Sequence, residues 1–475
     1  MSTDLPEPEV KAHYDVVIIG AGAGGISVAN TLAEYGVNVV MFDESSRPGG
    51  QIYRNLETNA SKLTRLLGRD YAAGKKILTT FRNFIDKGLI EYYPKAKVWY
   101  LNSDNEIGVS KSGLSYKIRA KKVVIATGCQ ERPMPISGWH LPGVMSLGAG
   151  QILLKSASIL PKSTVLAGAG PLLWLLAYQY RRAGVKVEAI VDTAMPSPWW
   201  STSIHLLKAL VAGEYLFKGL YLMLNARFSD VPIHRSVTHL KAVGNQQFES
   251  VSFKCNGEHY QIRADTLLLH QGVIPGLHIA EAAGCRIQWH GPQQCWVPVV
   301  DKWGKSSQNH ISIVGDVSGI EGAKSAALSG KTAGLRLARE LRKISGVQLG
   351  RLSFLSRLSR RRHQAIRPLL NVVFRVPVTY LNPPDEVVVC RCEEVTAGTI
   401  RGITKQGCMG PNQAKAFTRC GMGPCQGRMC SSTVEQIMAH ELNRSVADIG
   451  RYRARPPIKP ITLGELASTF SSPES

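Results

Sequence analysis

The densest chemistry in the sequence lies near its C-terminus. Cys390-Arg-Cys392 is followed about thirty residues later by RCGMGPCQGRMC, which carries Cys420, Cys425 and Cys430. With Cys408, six of the chain's ten cysteines fall in this stretch, and such a concentration argues for metal or redox chemistry. Four thiolates suit either a tetrahedral zinc ion or an iron–sulfur cluster. Zinc usually takes two CxxC-like knuckles, whereas here a CxC pair has a distant partner pair. Cys420 and Cys425 compete for one ligand position, and Gly421, Gly423 and Gly427 leave an open turn around Cys425.

Two further clusters are built to hold phosphate. Gly20, Gly22 and Gly25 spell GxGxxG between DVVIIG and ISVANTLAEYG, where missing side chains let a backbone close on a diphosphate at a helix N-terminus. Asp43 ends the next strand, placed to accept from ribose hydroxyls, with Glu44 as the neighbouring alternative. A second turn, GAGPLL, keeps Gly168 and Gly170 but has Leu173 where the third glycine would stand. Asp192 ends the strand that follows it. No arginine stands beside it in sequence, so NAD, or an adenine nucleotide such as ATP or ADP, fits better than NADP.

The elements that must position these residues repeat. Strand, glycine turn, helix, strand runs from Tyr14 to the end of VNVVMFDES and again from Ser163 to VKVEAIVDT, giving two βαβ units in tandem. AKKVVIATG lies between them; TLLLHQGVIPG and NHISIVGDVSGIEGAKSAALSGKTAGLRLA follow. From Leu349 to Arg375 arginines interrupt short apolar runs, a basic connector, partly helical. The end, RPPIKPITLGELASTFSSPES, reads as an extended tail. The expected division is an α/β domain formed by 12–135 and 290–345, a second nucleotide domain at 136–289, a connector at 346–380, a small cysteine-bearing α-helical domain at 381–450 and a tail at 451–475.

Arg47-Pro48-Gly49-Gly50-Gln51 after the second strand, Ala126-Thr127-Gly128 after the middle one and Gly315-Asp316 after a late one complete a set with the first glycine turn. In this order the set resembles the glutathione-reductase-like flavoprotein superfamily, which implies two Rossmann-like dinucleotide-binding domains and bound FAD. The resemblance places the glycine pair by the flavin and diphosphate and gives Asp316 the ribityl chain. Disulfide reductases of that superfamily carry a CxxxxC or CxxC pair. This chain has neither, and Cys129, Cys255, Cys285 and Cys295 stand singly. The C-terminal cysteines resemble the ferredoxin domain related to bacterioferritin-associated ferredoxin, which implies a 2Fe-2S cluster on Cys390, Cys392, Cys425 and Cys430. Lys415, Arg419 and Arg428 would offset its charge.

The combination resembles the α-subunits of multi-subunit amino-acid and opine dehydrogenases, the group of opine oxidase, hydroxyproline dehydrogenase and the middle subunit of hydrogen cyanide synthase. That resemblance implies a flavoprotein β-subunit like D-amino-acid oxidase, which oxidises the C–N bond. It also implies a small ferredoxin-like γ-subunit, FMN at a subunit interface, and electron relay to a quinone or carrier protein. The alternative is a self-contained NAD(P)H-dependent reductase passing electrons through its cluster. No catalytic proton-transfer residue can be assigned; His270 reads as structural. Trp199 and Trp200 suit a partner interface.

The bulk numbers narrow the rest. With 475 residues, 44% hydrophobic and 19% charged, the chain has an ordinary globular balance and room for several domains. The net charge of +22 is read as a basic proteome or an acidic partner rather than nucleic acid. MSTDLPEPEVKAHYD lacks the apolar core of a leader, so a cytoplasmic location is expected, with peripheral contact at the inner membrane face through Arg360, Arg361 and Arg362 as an option. Lys208, Glu214 and Lys218 interrupt the long apolar stretch from Leu207.

Overall fold

The computed structural model describes residues 10–469; the leader reading of the first residues and the last part of the tail lie largely outside that range. The first βαβ unit forms as its periodicity dictates. Val16–Ile19 and Val39–Phe42 are apolar runs buried on both faces, one packed on helices through Leu32, Leu78 and Phe81 and the other on the strand residues Val98, Leu101, Ile107 and Val109. A seven-stranded sheet places Ile90–Tyr93, Val39–Phe42, His13–Ile19 and Leu114–Ile125 side by side in parallel. Ile311–Ile313 also runs parallel to Leu114–Ile125, returning the chain to this sheet after the second domain.

Helix Ala23–Glu34 crosses helix Ala323–Glu340 at unusually close range. A Cβ at Gly330 would lie 2.1 Å from Gly24 O, so glycine there is what allows the approach. This crossing brings the start of the later helix, with Gly315 and Asp316, beside the first glycine turn.

The second unit is a five-stranded parallel sheet in the order Ile233–His234, Lys186–Asp192, Ser163–Gly168, Thr266–His270, Val144–Ser146. A three-stranded antiparallel sheet, Thr238–Val243, Ser250–Cys255 and Glu258–Arg263, is attached to it. Strands Cys129–Glu131 and Val273–Pro275 pair where the chain passes between the two units.

The connector is more ordered than its composition suggests. Gly346–Gln364 is a helix with a capping box at Ser345 and Gln348, followed by helix Arg367–Val373. Arg360 is not a free surface cation: it pairs with Glu321 through Nε at 3.0 Å and Nη2 at 2.9 Å. The C-terminal unit packs helices Ala397–Lys405, Pro411–Thr418 and Ser431–Glu441 around a core that includes Ile400, Val434, Ile437, Met438 and four of the cysteines.

The expected extended tail is instead docked. Ile458 is buried and donates its N–H to Trp99 O at 2.9 Å, and Leu463–Ser468 forms a capped helix whose Ser468 hydroxyl accepts from Ser115 N. Proline and serine content hid two anchors, the buried apolar Ile458 and the Thr462–Glu465 capping box.

Candidate functional site

The first glycine turn has the shape of a phosphate cradle. Gly20 adopts φ +105°, and a Cβ on Gly25 would lie 2.0 Å from Gly20 O, so the turn closes only with glycine at both positions. Gly22 and Ala23 at the helix start are half-buried and remain approachable. Gly49 and Gly50 fold against this turn, with Gly49 N donating to Ala21 O at 2.8 Å. Asp43 completes its rim. Its Oδ2 accepts from Ala21 N at 2.6 Å and its Oδ1 from Ser45 N at 2.7 Å. Burial raises the Asp43 pKa, and those two N–H groups pull it back. Glu44 points elsewhere, into an ion pair with Lys459 of the docked tail.

At the far end, Asp316 Oδ1 accepts from the N–H groups of Glu321 and Gly322, each at 3.0 Å, where helix Ala323–Glu340 begins. Burial pushes its pKa upward too. Cys129 Sγ lies 3.9 Å from Asp316 Oδ2, and Arg367 adds a guanidinium that attracts the same carboxylate. Thr127 and Gly128 join the two units, with Thr127 Oγ1 donating to Gly276 O at 3.1 Å and Gly276 N to Gly128 O at 3.0 Å. The four motifs thus form one surface, from Asp43 across the turn to Asp316. Two acceptor carboxylates at opposite ends of a glycine cradle fit the ribose, diphosphate and ribityl chain of FAD.

Sequence reasoning missed two cations here. Lys155, buried, donates to Gln51 O and Ile52 O at 3.0 Å and to Gln151 Oε1 at 3.1 Å, holding the loop after Gly50. Burial, helped by Arg54, pushes its pKa down to about 7. Nothing in its local sequence, LLKSAS, marks it. Arg367 came from the stretch read as connector, and its Nε is buried without a hydrogen-bond partner.

The second turn differs. Gly168, Ala169 and Gly170 are buried, as is Leu173. Asp192 accepts from Ala194 N at 2.9 Å. Although no arginine neighbours Asp192 in sequence, folding brings Arg235 close enough to lower its pKa against the larger opposing effect of burial. His270 is buried with Nδ1 at 2.6 Å from Glu131 Oε1.

The C-terminal cysteines converge, but not in the grouping the spacing suggested. Sγ atoms of Cys390, Cys420 and Cys430 lie within 4.8 Å of one another. Cys420 therefore stands in the group where Cys425 was expected, and Cys425 interacts with Cys392 instead. Hydrogen bonds from Cys420 and Cys430 hold the Cys390 thiol well below its usual range. Cys408 is buried away from that group, hydrogen-bonding Gly410 O. Gly423 has no room for a side chain, since a Cβ would lie 2.3 Å from Cys392 Cβ. Of the expected offsetting cations, Arg419 is paired with Glu393, Lys415 lies over the Tyr452 ring and Arg428 interacts with Cys425. Tyr452, buried beside Cys420 and Cys430, was not foreseen.

This cysteine unit packs against the segment that follows Ala126-Thr127-Gly128 and against His278 and Trp296. Gln130 Nε2 donates to Arg428 O at 2.8 Å, His278 Nε2 lies 3.0 Å from Gln426 O, and Trp296 Nε1 donates to Glu435 Oε2 at 2.9 Å. The loop bearing Cys425 and Cys430 thus abuts the segment that continues from Gly128.

Comparison with known proteins gives the family and the fold. Residues 14–330 match the family model of pyridine nucleotide-disulphide oxidoreductases. The chain belongs to that family. Residues 386–469 of this oxidoreductase match the sarcosine oxidase A3 domain. It is 41% identical to the A subunit of opine oxidase from Rhizobium meliloti, over 97% of this chain and 88% of that protein. It is 30% identical to hydrogen cyanide synthase subunit HcnB of Pseudomonas aeruginosa over 94% of this chain and 96% of that one. Among solved structures, L-proline dehydrogenase from P. horikoshii superposes with a TM-score of 0.71 at 18% identity, covering 98% of this chain and 82% of that one, a likeness of fold. The oxidoreductase is FAD-dependent, with the α/β flavoprotein fold. Among its described residues no helix is long and apolar enough to cross a membrane.

Proposed function

We propose that this chain is the electron-handling subunit of a hetero-oligomeric amine dehydrogenase. FAD occupies the first cradle, a 2Fe-2S cluster sits in the cysteine unit, and electrons pass from one to the other toward a quinone or carrier protein. The observation that carries this reading is the contact of the Cys425–Cys430 loop with the Ala126–Gln130 segment, made through Gln130 and Arg428. The names of its relatives, subunits of an opine oxidase and of hydrogen cyanide synthase, support an amino-acid or opine substrate oxidised on a partner chain.

When bound, FAD accepts a pair of electrons and the cluster takes them singly. The residues' own work is holding and tuning. Asp43 would accept from the ribose hydroxyls and Asp316 from the ribityl chain, and Lys155 holds the loop after Gly50 through Gln51 O and Ile52 O. For the cluster, the proposed ligands are Cys390 and Cys430, two of the three grouped sulfurs, together with Cys392 and Cys425, which interact with each other. Cys420 is then a fifth thiol held against Tyr452. The partner assigned to the exposed Trp199 and Trp200 is a D-amino-acid-oxidase-like β-subunit. Interfacial FMN and a ferredoxin-like γ-subunit complete the complex, which is cytoplasmic.

The test is co-expression with the β-subunit candidate. Flavin bleaching on addition of an opine or amino acid to the complex, and not to this chain alone, is the expected result. Substrate-dependent bleaching of this chain by itself would refute the division of labour.

A further inference from the structure

The two glycine turns share a sequence pattern and differ in access. At the first, the nearest atom to a Cβ on Gly22 would be Gly50 Cα at 4.0 Å, so space remains where a diphosphate must approach. At the second, a Cβ on Gly170 would lie 2.8 Å from His270 Nε2 and 2.9 Å from His270 Cδ2. The imidazole is packed directly on the turn. It is 3% exposed, and it is anchored from behind: Nδ1 meets Glu131 Oε1 at 2.6 Å, while Glu131 Oε2 accepts from Gly148 N at 2.8 Å.

The neighbouring crevice is filled as well. In open α/β sheets a nucleotide lies beyond the C-terminal ends of the strands, at the point where strand order reverses. Here Gln271 Nε2 donates to Thr193 Oγ1 at 2.9 Å, bridging residues that follow two strands of that sheet, and both are buried. Leu173 fills the place of the third glycine.

We infer that the second nucleotide site is closed by the chain's own side chains, with His270 as the plug of the phosphate turn, so that NADH and NADPH are not its reductants. This goes beyond the proposed function by assigning a residue that excludes a reductant class. It does not depend on the identity of the amine substrate. Glu131 is the positioning residue that keeps the plug in place.

The test uses the full chain loaded with FAD, so that the first turn is filled and flavin absorbance independently reports whether that site works. ADP-ribose and NADH are titrated by calorimetry. Wild type is expected to show no saturable binding at about millimolar ligand, and His270→Ala should bind at least about tenfold more tightly than that limit, a gain of about 1.4 kcal/mol. His270→Gln, which keeps most of the volume, should stay closed. Micromolar binding by wild type would overturn the inference, as would His270→Ala without any gain. If His270→Ala fails to fold, the wild-type titration still decides whether the site is closed, and His270→Asn replaces it as the smaller variant.

Discussion

Gly22 caps helix Ala23–Glu34 with φ −83° and ψ −177°, angles that alanine adopts without strain. A methyl group there would meet Gly50 Cα at 4.0 Å, an ordinary contact. Less freedom in the unfolded chain adds about 0.4–1 kcal/mol of stability, and the poorer N-cap costs a similar amount. Gly22→Ala should therefore leave the flavin-free protein within about 1 kcal/mol of wild type. The same methyl stands where the diphosphate meets the turn. Losing one charge-assisted hydrogen bond there costs about 1.5–3 kcal/mol, which is roughly 10- to 100-fold in FAD affinity. Gly25→Ala is the contrast, because its Cβ would lie 2.0 Å from Gly20 O; it should destabilise the fold by about 1–3 kcal/mol or more. Calorimetric Tm of the stripped protein and FAD titration by fluorescence quenching separate the two effects. Wild-type FAD affinity in Gly22→Ala would refute the placement of the diphosphate at this turn.

Asp316→Asn should act in opposite directions on stability and binding. Burial raises the carboxyl's folded pKa, so its stability contribution is fullest below the unfolded value and is lost as pH rises through the folded one. Asparagine still accepts at Oδ1 from Glu321 and Gly322, so the stripped variant should gain about 1 kcal/mol at neutral pH, while FAD binds at least about tenfold more weakly. Unchanged affinity would remove Asp316 from the cofactor site. Glu435, buried against Trp296, has its pKa pushed up to about 8, so stability should fall as pH rises from about 4.5 to 8, by at most about 5 kcal/mol, and Glu435→Gln should flatten that slope. A Tm profile with the same slope in both proteins would contradict it. Cys425→Ser should abolish the visible absorption and EPR signal of the cluster and Cys420→Ser should keep both; the reverse would move the ligand set to Cys420.

What was legible in the sequence was what is encoded locally. Gly20, Gly22 and Gly25 sit in one turn between a strand and a helix whose periodicities are plain, and Asp43 is found by counting to the end of the next strand. Gly315-Asp316 is as compact. What escaped depends on long-range packing. Lys155 reaches Gln51 across roughly a hundred residues, Arg367 reaches Asp316 from a helix disguised as connector, and Lys459 takes Glu44 out of contention from the far end of the chain. Spacing identified the cysteine unit but not its internal geometry, because the turn around Gly421 and Gly427 folds Cys420 inward to Cys390 and Cys430. His270 read as structural, and its burial on Glu131 agrees. Its contact with Gly170 follows only from two strands lying side by side.

The central claim is that electrons held by the FAD of this chain pass to a cluster in its own cysteine unit. The direct measurement is anaerobic photoreduction of the purified chain's flavin, followed at low temperature by EPR with iron, sulfide and zinc determined on the same sample. A reduced 2Fe-2S signal appearing as the flavin bleaches, with about two irons per chain, is the expected result. A bleached flavin with no cluster signal, or zinc in place of iron, would contradict it.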